Sequence, residues 1–230
     1  MATKTQTPAA ASCWACHAPL AQNEHFCAAC GKVQPATATD FFSFFGLPRK
    51  LNIESADLEK RFRALSRQFH PDYFYNAEPA ERRASLERSS YLNDAFRTLK
   101  QPIARIEYLL QLEGLAARGP EEAAKHVPPA LLEEVFALNE ELEEVRQLRA
   151  GWAPAADWTA RLERARKPIE AKRAEHEEQL ETLSNRWDAL LDSGAAQADR
   201  RAALEALRER VLERNYINNL LAGIERELTQ

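Results

Sequence analysis

Apolar residues recur along most of this chain at spacings of three and four, the pattern of amphipathic helix. The first clear stripe is Leu58, Phe62, Leu65 and Phe69. It predicts a helix that starts at a cap on Ser55 or Asp57 and runs to about Phe69. Before it, FFSFFGLP (41–48) predicts one short apolar helical turn, stopped by Gly46 and Pro48. After it, Pro79 suits the first position of a third helix, with Leu86, Leu92, Ala95, Phe96 and Leu99 as its inner face, broken by Pro102. ARIEYLLQLEG (104–114) predicts a further short helix ending at Gly114. GLAARGPEEAAKHVPP (114–129) reads as a linker.

Three longer patterns follow. Residues 130–149 carry Leu131, Leu132, Val135, Leu138, Leu142, Val145 and Leu148. Residues 155–192 carry Leu162, Ile169, His176, Leu180, Leu183, Trp187 and Leu190. Residues 196–228 carry Leu204, Leu207, Val211, Leu220, Ile224 and Leu228. Gly151 with Pro154, and then Ser193-Gly194, separate them. Pro168 predicts a kink or a helix start within the second pattern. Three such stripes bury best in an antiparallel bundle. The fold class is all-α, and no internal repeat is present.

Composition supports this reading. Of 230 residues only seven are Gly, and Ala, Leu, Glu and Arg abound. The length suffices for one large domain or two small ones. A net charge of −4 and a pI near 5.8 argue against a nucleic-acid partner, since phosphate recognition wants a basic face. No apolar run approaches the ~18 residues of a membrane span, so no membrane partner is expected. Residues 1–12, MATKTQTPAAAS, read as a disordered tail. They show neither a secretory h-region nor an arginine-rich targeting pattern. A cytoplasmic, bacterial setting is expected, with the mitochondrial matrix less favoured.

All four cysteines, Cys13, Cys16, Cys27 and Cys30, fall in CWACHAPLAQNEHFCAACGK. Two Cys-x2-Cys turns can close a thiolate tetrahedron at about 2.3 Å per Zn–S bond. The predicted module, 13–32, is too short for an apolar core, so metal would supply its folding energy. Structural Zn2+, one per chain, is the expected cofactor; iron in the same cage and a pair of redox thiols are the alternatives. His17 and His25 could replace a ligand but read as solvated loop residues. Residues 33–39 read as a linker.

His70-Pro71-Asp72 lies where the first stripe ends. It can be an ordinary helix stop, because proline disfavours helix at the residue before it. It can equally be a rigid loop offering an imidazole and a carboxylate to a partner. The preceding helix carries Lys60, Arg61, Arg63 and Arg67, with no acid from 60 to 70. Such a cationic face steers a chain toward an acidic partner.

DFFSFFGLP, LEKRFRALSRQFHPD and SYLNDAFRTLKQPIARIEYLLQLEG together resemble the J domain of the HscB family of iron–sulfur co-chaperones. Arg105, Tyr108, Leu109 and Leu110 follow that family rather than general J domains, and no Gly/Phe-rich region or CxxCxGxG repeat follows. The resemblance covers about 40–230 and weakens across 114–170. It implies a J domain over 40–113, a linker over 114–129 and a scaffold-binding three-helix bundle over 130–230. It further implies that Lys60, Arg61, Arg63, Arg67, His70, Pro71 and Asp72 contact a DnaK/HscA-type chaperone and stimulate its ATPase, the chain itself catalysing nothing. Tyr73 departs from the lysine or arginine often found after the tripeptide.

The bundle is expected, on the same resemblance, to bind an IscU-type iron–sulfur scaffold through PALLEEVFALNEELEEV and LERNYINNLLAGIERE. The matched face is Leu132, Phe136, Glu140 and Tyr216; Glu133 and Ala137 depart from the pattern. Phe136 lies about 100° round the helix from Val135, so core burial and client contact both stay open for it, as they do for Tyr216. A general-client J-protein binding unfolded chains is the alternative, and a thiol-redox or metalloenzyme a third reading. His176 reads as a core histidine. Glu133, Glu134, Glu140, Glu141, Glu143 and Glu144 read as a solvated face without a catalytic pocket. Trp152 and Trp158 are expected to pack the bundle end.

Overall fold

The computed structural model describes residues 12–21, 24–36, 39–116, 129–152 and 154–229. Residues 1–11 of the tail expected over 1–12, and most of the linker expected over 114–129, lie outside them. The helices are α1 (Phe41–Phe44), α2 (Ser55–Phe69), α3 (Pro79–Lys100), α4 (Pro102–Leu112), α5 (Leu132–Ala150), α6 (Ala155–Asp192) and α7 (Gln197–Thr229). Single 3₁₀ turns occupy Pro71–Phe74 and Pro129–Leu131. Among the described residues the only β pairing is two isolated bridges, Ser12 with Pro19 and Phe26 with Val33. The class is all-α. No helix among these residues is long and apolar enough to cross a membrane.

The chain divides into two compact units, Met1–Arg105 and Ile106–Gln230. In the first, α1 and α2 both pack on α3. Asp40 starts α1 by accepting from the Ser43 amide at 2.9 Å. Phe42, Phe44, Leu58, Phe69, Leu92, Ala95 and Leu99 form the buried interior, each large side chain contributing about 1.5–3 kcal/mol. Phe62 of α2 stacks on Phe96 of α3 at 4.2 Å between ring centroids. Arg105 is buried and donates to the carbonyls of Leu99, at 2.6 Å, and Leu51. Two sequence expectations are corrected. Neither Ser55 nor Asp57 caps α2: Glu54 holds the cap position without a side-chain bond, and the Asp57 carboxylate instead pairs with Arg61 one turn on. Leu86 is 57% exposed, because the inward face of α3 at that level is Glu81, Ala84, Ser85 and Arg88.

In the second unit, α5, α6 and α7 bury Leu131, Val135, Leu138, Val145, Leu162, Ile169, Ile217 and Ile224 as one cluster. Short connections make successive helices antiparallel, with Arg161 of α6 paired to Glu141 of α5 at 2.9 Å and Arg166 of α6 to Glu225 of α7 at 3.5 Å, while Arg149 and Glu227 pair α5 with α7 at 2.7 Å. Pro168 lies inside α6, so the helix does not restart there. Trp158 is half-buried under the Arg149 guanidinium at 4.1 Å. Trp152 does not pack the bundle end: its φ of 58° turns it out of the α5–α6 connection, and it is 94% exposed.

Candidate functional site

The cysteines form two matching turns. In the first, the His17 amide donates to the Cys13 carbonyl at 3.0 Å and the Cys13 amide to Ala18 at 2.8 Å. In the second, Gly31 donates to Cys27 at 2.8 Å and Cys27 to Lys32 at 2.9 Å. His17 and Gly31 hold equivalent left-handed positions, with φ of 58° and 72°. Glycine adopts that conformation freely; His17 does so at a cost of about 1 kcal/mol. The four sulfurs lie within 4.8 Å of one another, and Cys13–Cys30 and Cys16–Cys27 are each 3.6 Å apart. Bonds of about 2.3 Å to a tetrahedral ion set sulfurs roughly 3.8 Å apart, so the donor set fits one metal ion.

The backbone amides around the cluster act unequally on the sulfurs. Burial alone would raise the Cys13 thiol, but the Cys16 and Ala15 amides together with the Cys30 and Cys16 sulfurs outweigh it and bring it down to about 6. The Lys32 amide lowers Cys30, yet burial and the neighbouring sulfurs push it up to about 12. A bound metal ion would require all four sulfurs to give up their protons. The buried Gln34 side chain donates to Cys13 Sγ at 3.3 Å, a contact that orients a ligand from outside the coordination sphere.

The module is seated on α3. Arg88 is 2% exposed. Its guanidinium donates to the carbonyls of Gln34 (2.5 Å), Pro35 (3.0 Å) and Glu24 (3.2 Å) and meets His25 Nδ1 at 2.5 Å. Lys32 pairs with the buried Glu81 at 2.5 Å. Burial, then the Arg88 charge, lowers His25 to about 4, so a neutral imidazole accepts from the guanidinium. Its ring packs on Phe44 and Phe69 at 4.8 and 5.1 Å. His25 is therefore a packing residue rather than the solvated loop residue expected, while His17 is exposed. Val33 and Gln34, in the stretch taken as a linker, are buried within this contact.

His70 ends α2 with extended backbone, φ −59° and ψ 124°, as the following proline requires. Its side chain and that of Asp72 are exposed, 3.5 Å apart. Tyr73 and Tyr75 beside them are exposed as well. The buried anchor of this loop is Phe69, whose carbonyl accepts from Ser85 and Ser89, both at 2.8 Å. On the adjoining face of α2, Lys60, Arg63 and Arg67 are exposed. Arg61 is half-buried, bonding the Phe45 carbonyl at 3.0 Å and Asp57 at 2.8 Å.

On the second unit, Leu132 is 40% and Phe136 66% exposed, although Leu131, Val135 and Leu138 beside them are buried. Glu140, one turn on, is exposed too. This is an apolar spot on α5 with an acid at its edge. Tyr216 is half-buried and packs against the bundle core.

No protein-family model matches the chain. Among solved structures, the crystal structure of human co-chaperone protein HscB is 24% identical, with a TM-score of 0.66, and the match covers 94% of this chain and 98% of that one. Chaperone HscB from Vibrio cholerae is 27% identical, with a TM-score of 0.57, covering 82% of this chain and 97% of that one. The chain thus shares the HscB fold over almost its whole length.

Proposed function

We propose that this chain is a co-chaperone of the HscB type, which brings an IscU-type iron–sulfur scaffold to a DnaK/HscA-type ATPase and stimulates that ATPase. The observation that carries the reading is the exposed His70-Pro71-Asp72 loop, held by a buried Phe69 at the end of a basic helix, in a chain with the HscB fold. His70 and Asp72 offer a donor and an acceptor that the fold itself barely uses. Lys60, Arg63 and Arg67 supply positive charge beside them, which speeds encounter with an acidic surface. Arg61 acts from behind, fixing the α1–α2 connection. The chain hydrolyses nothing: it favours a partner conformation competent for hydrolysis.

The scaffold contact is assigned to Leu132, Phe136 and Glu140, with Tyr216 contributing from α7. Cys13, Cys16, Cys27 and Cys30 hold Zn2+ as a closed structural site. The test is His70→Gln in the full chain, measured as partner ATPase rate. The variant should keep its circular dichroism spectrum and melting temperature and leave the partner at its basal rate. Full stimulation by the variant removes the loop from the mechanism. Equal binding of many denatured proteins, with no preference for the folded scaffold, favours a general-client J-protein instead.

A further inference from the structure

Four side chains on one face of α3 are polar and turned inward: Glu81, Ser85, Arg88 and Ser89. The apolar stripe of the hairpin core on α3 is Leu92, Ala95 and Leu99, further along the helix. The four polar side chains do two things at once. Glu81 and Arg88 bind the cysteine module, through Lys32 and through the carbonyls of Glu24, Gln34 and Pro35. Ser85 and Ser89 bind the carbonyl of Phe69, the residue before His70.

Phe69 joins these two sets of contacts. Its ring meets the Arg88 guanidinium at 5.7 Å, His25 at 5.1 Å and Phe26 at 5.6 Å. Gln34 closes the chain on the other side, donating its side-chain amide to Cys13 Sγ and accepting from Arg88 through its backbone carbonyl. A continuous series of contacts therefore runs from a metal ligand to the residue that sets the tripeptide.

Contact alone does not establish coupling; an element with two states does. The cysteine module supplies such an element in this proposal: a segment this short has no apolar core of its own, and metal cross-linking is what would switch it between loose and ordered. Without the ordered module, Arg88 loses four partners and Phe69 loses two ring neighbours. A buried guanidinium stripped of its acceptors must move to water, and Phe69 lies directly beneath it.

We propose that Arg88 is a positioning residue for the His70-Pro71-Asp72 loop, and that the metal-bound cysteine module, which supplies the partners of Arg88, sets that loop in its working conformation. The metal acts on the chaperone signal without touching the partner. This rests on the co-chaperone reading only in its ATPase measurement.

The experiment uses the full chain, isotopically labelled, with its metal bound and after chelation, alongside Arg88→Lys and Arg88→Met. The first readout is the amide resonances of His70, Asp72 and Tyr73, with those of α7 as internal control. Chelation and Arg88→Met should shift or broaden the loop resonances and leave α7 unchanged, and Arg88→Lys should restore them in part by keeping one charged donor. The second readout is partner ATPase: the half-stimulating concentration should rise about fivefold or more, the low end of ordinary coupling between sites, with the maximal rate retained. Loop resonances unchanged by chelation or by Arg88→Met overturn the proposal, as does an unchanged half-stimulating concentration. A metal-bound protein that never stimulates the ATPase counts against the co-chaperone reading instead, and the resonances still decide the coupling.

Discussion

Phe136 spends most of its ring on solvent while Val135, its neighbour in sequence, is buried. A single exposed aromatic is ordinary; one next to a half-exposed Leu132 on the same face is a contact spot. Because neither side chain supports the core, replacing both should cost little stability, within about 0.5 kcal/mol per site. The double variant Leu132→Ala with Phe136→Ala should raise the scaffold Kd about thirty-fold, or near 2 kcal/mol, in a calorimetric titration, and leave ATPase stimulation by the chaperone-facing loop intact. An unchanged Kd would refute the assignment. Phe136 was legible as off-stripe from its angle on the helix, though its exposure was not. Leu86 was misread for the opposite reason. In α3 the inward positions beside it are Arg, Ser and Glu, so apolar pattern alone could not show which face turns in.

At the level of single helices, α6 and α7 carry a buried polar cluster. His176 Nε2 is 3.1 Å from the Glu213 carboxylate, which pairs with Arg210 at 2.7 Å. Burial, then the Arg210 charge, lowers the His176 pKa, Lys172 adding to this and Glu175 on its own helix opposing it. Burial raises the Glu213 pKa against the pull of Arg210. For a histidine lowered in the fold, the unfolded chain binds the proton more readily. Its contribution to stability is full above the ordinary histidine pKa of about 6.5 and is lost as pH falls. The raised Glu213 works the other way, its contribution present in acid and lost as pH rises. His176 therefore pulls the melting temperature down at pH 5 relative to pH 7 while Glu213 opposes it, so His176→Leu should make the bundle's melting temperature fall less, or rise, between pH 7 and pH 5, followed by circular dichroism. An equal pH dependence in the variant would show that other groups dominate. The core placement of His176 could be read from its heptad position. Glu213 could not, since it pairs across helices from a position that the pattern marks as polar.

For the molecule as a whole, helical spacing and the Cys-x2-Cys pairs were enough to indicate an all-α chain with a four-cysteine cluster near its start. What they could not show is that the module and the first helical unit are one packed body. That contact joins residues 24–35 to residue 88 through a charged side chain and backbone carbonyls, and carbonyl acceptors leave no mark in sequence. A freshly prepared, reduced sample should contain one zinc per chain by metal analysis; its absence would remove the metal from the fold.

The seating of Arg88 also bears on what can be inherited or engineered separately. A chain trimmed to begin at Asp40 would keep every helix, yet leave a guanidinium, a carboxylate and two aromatic rings facing a surface that no longer exists. The cysteine module is thus not a detachable accessory. Residue 88 and the four cysteines should vary together: a relative without the module would lack the carbonyls that hold the arginine here, and grafting the module onto another J-like domain would require carrying the α3 face with it.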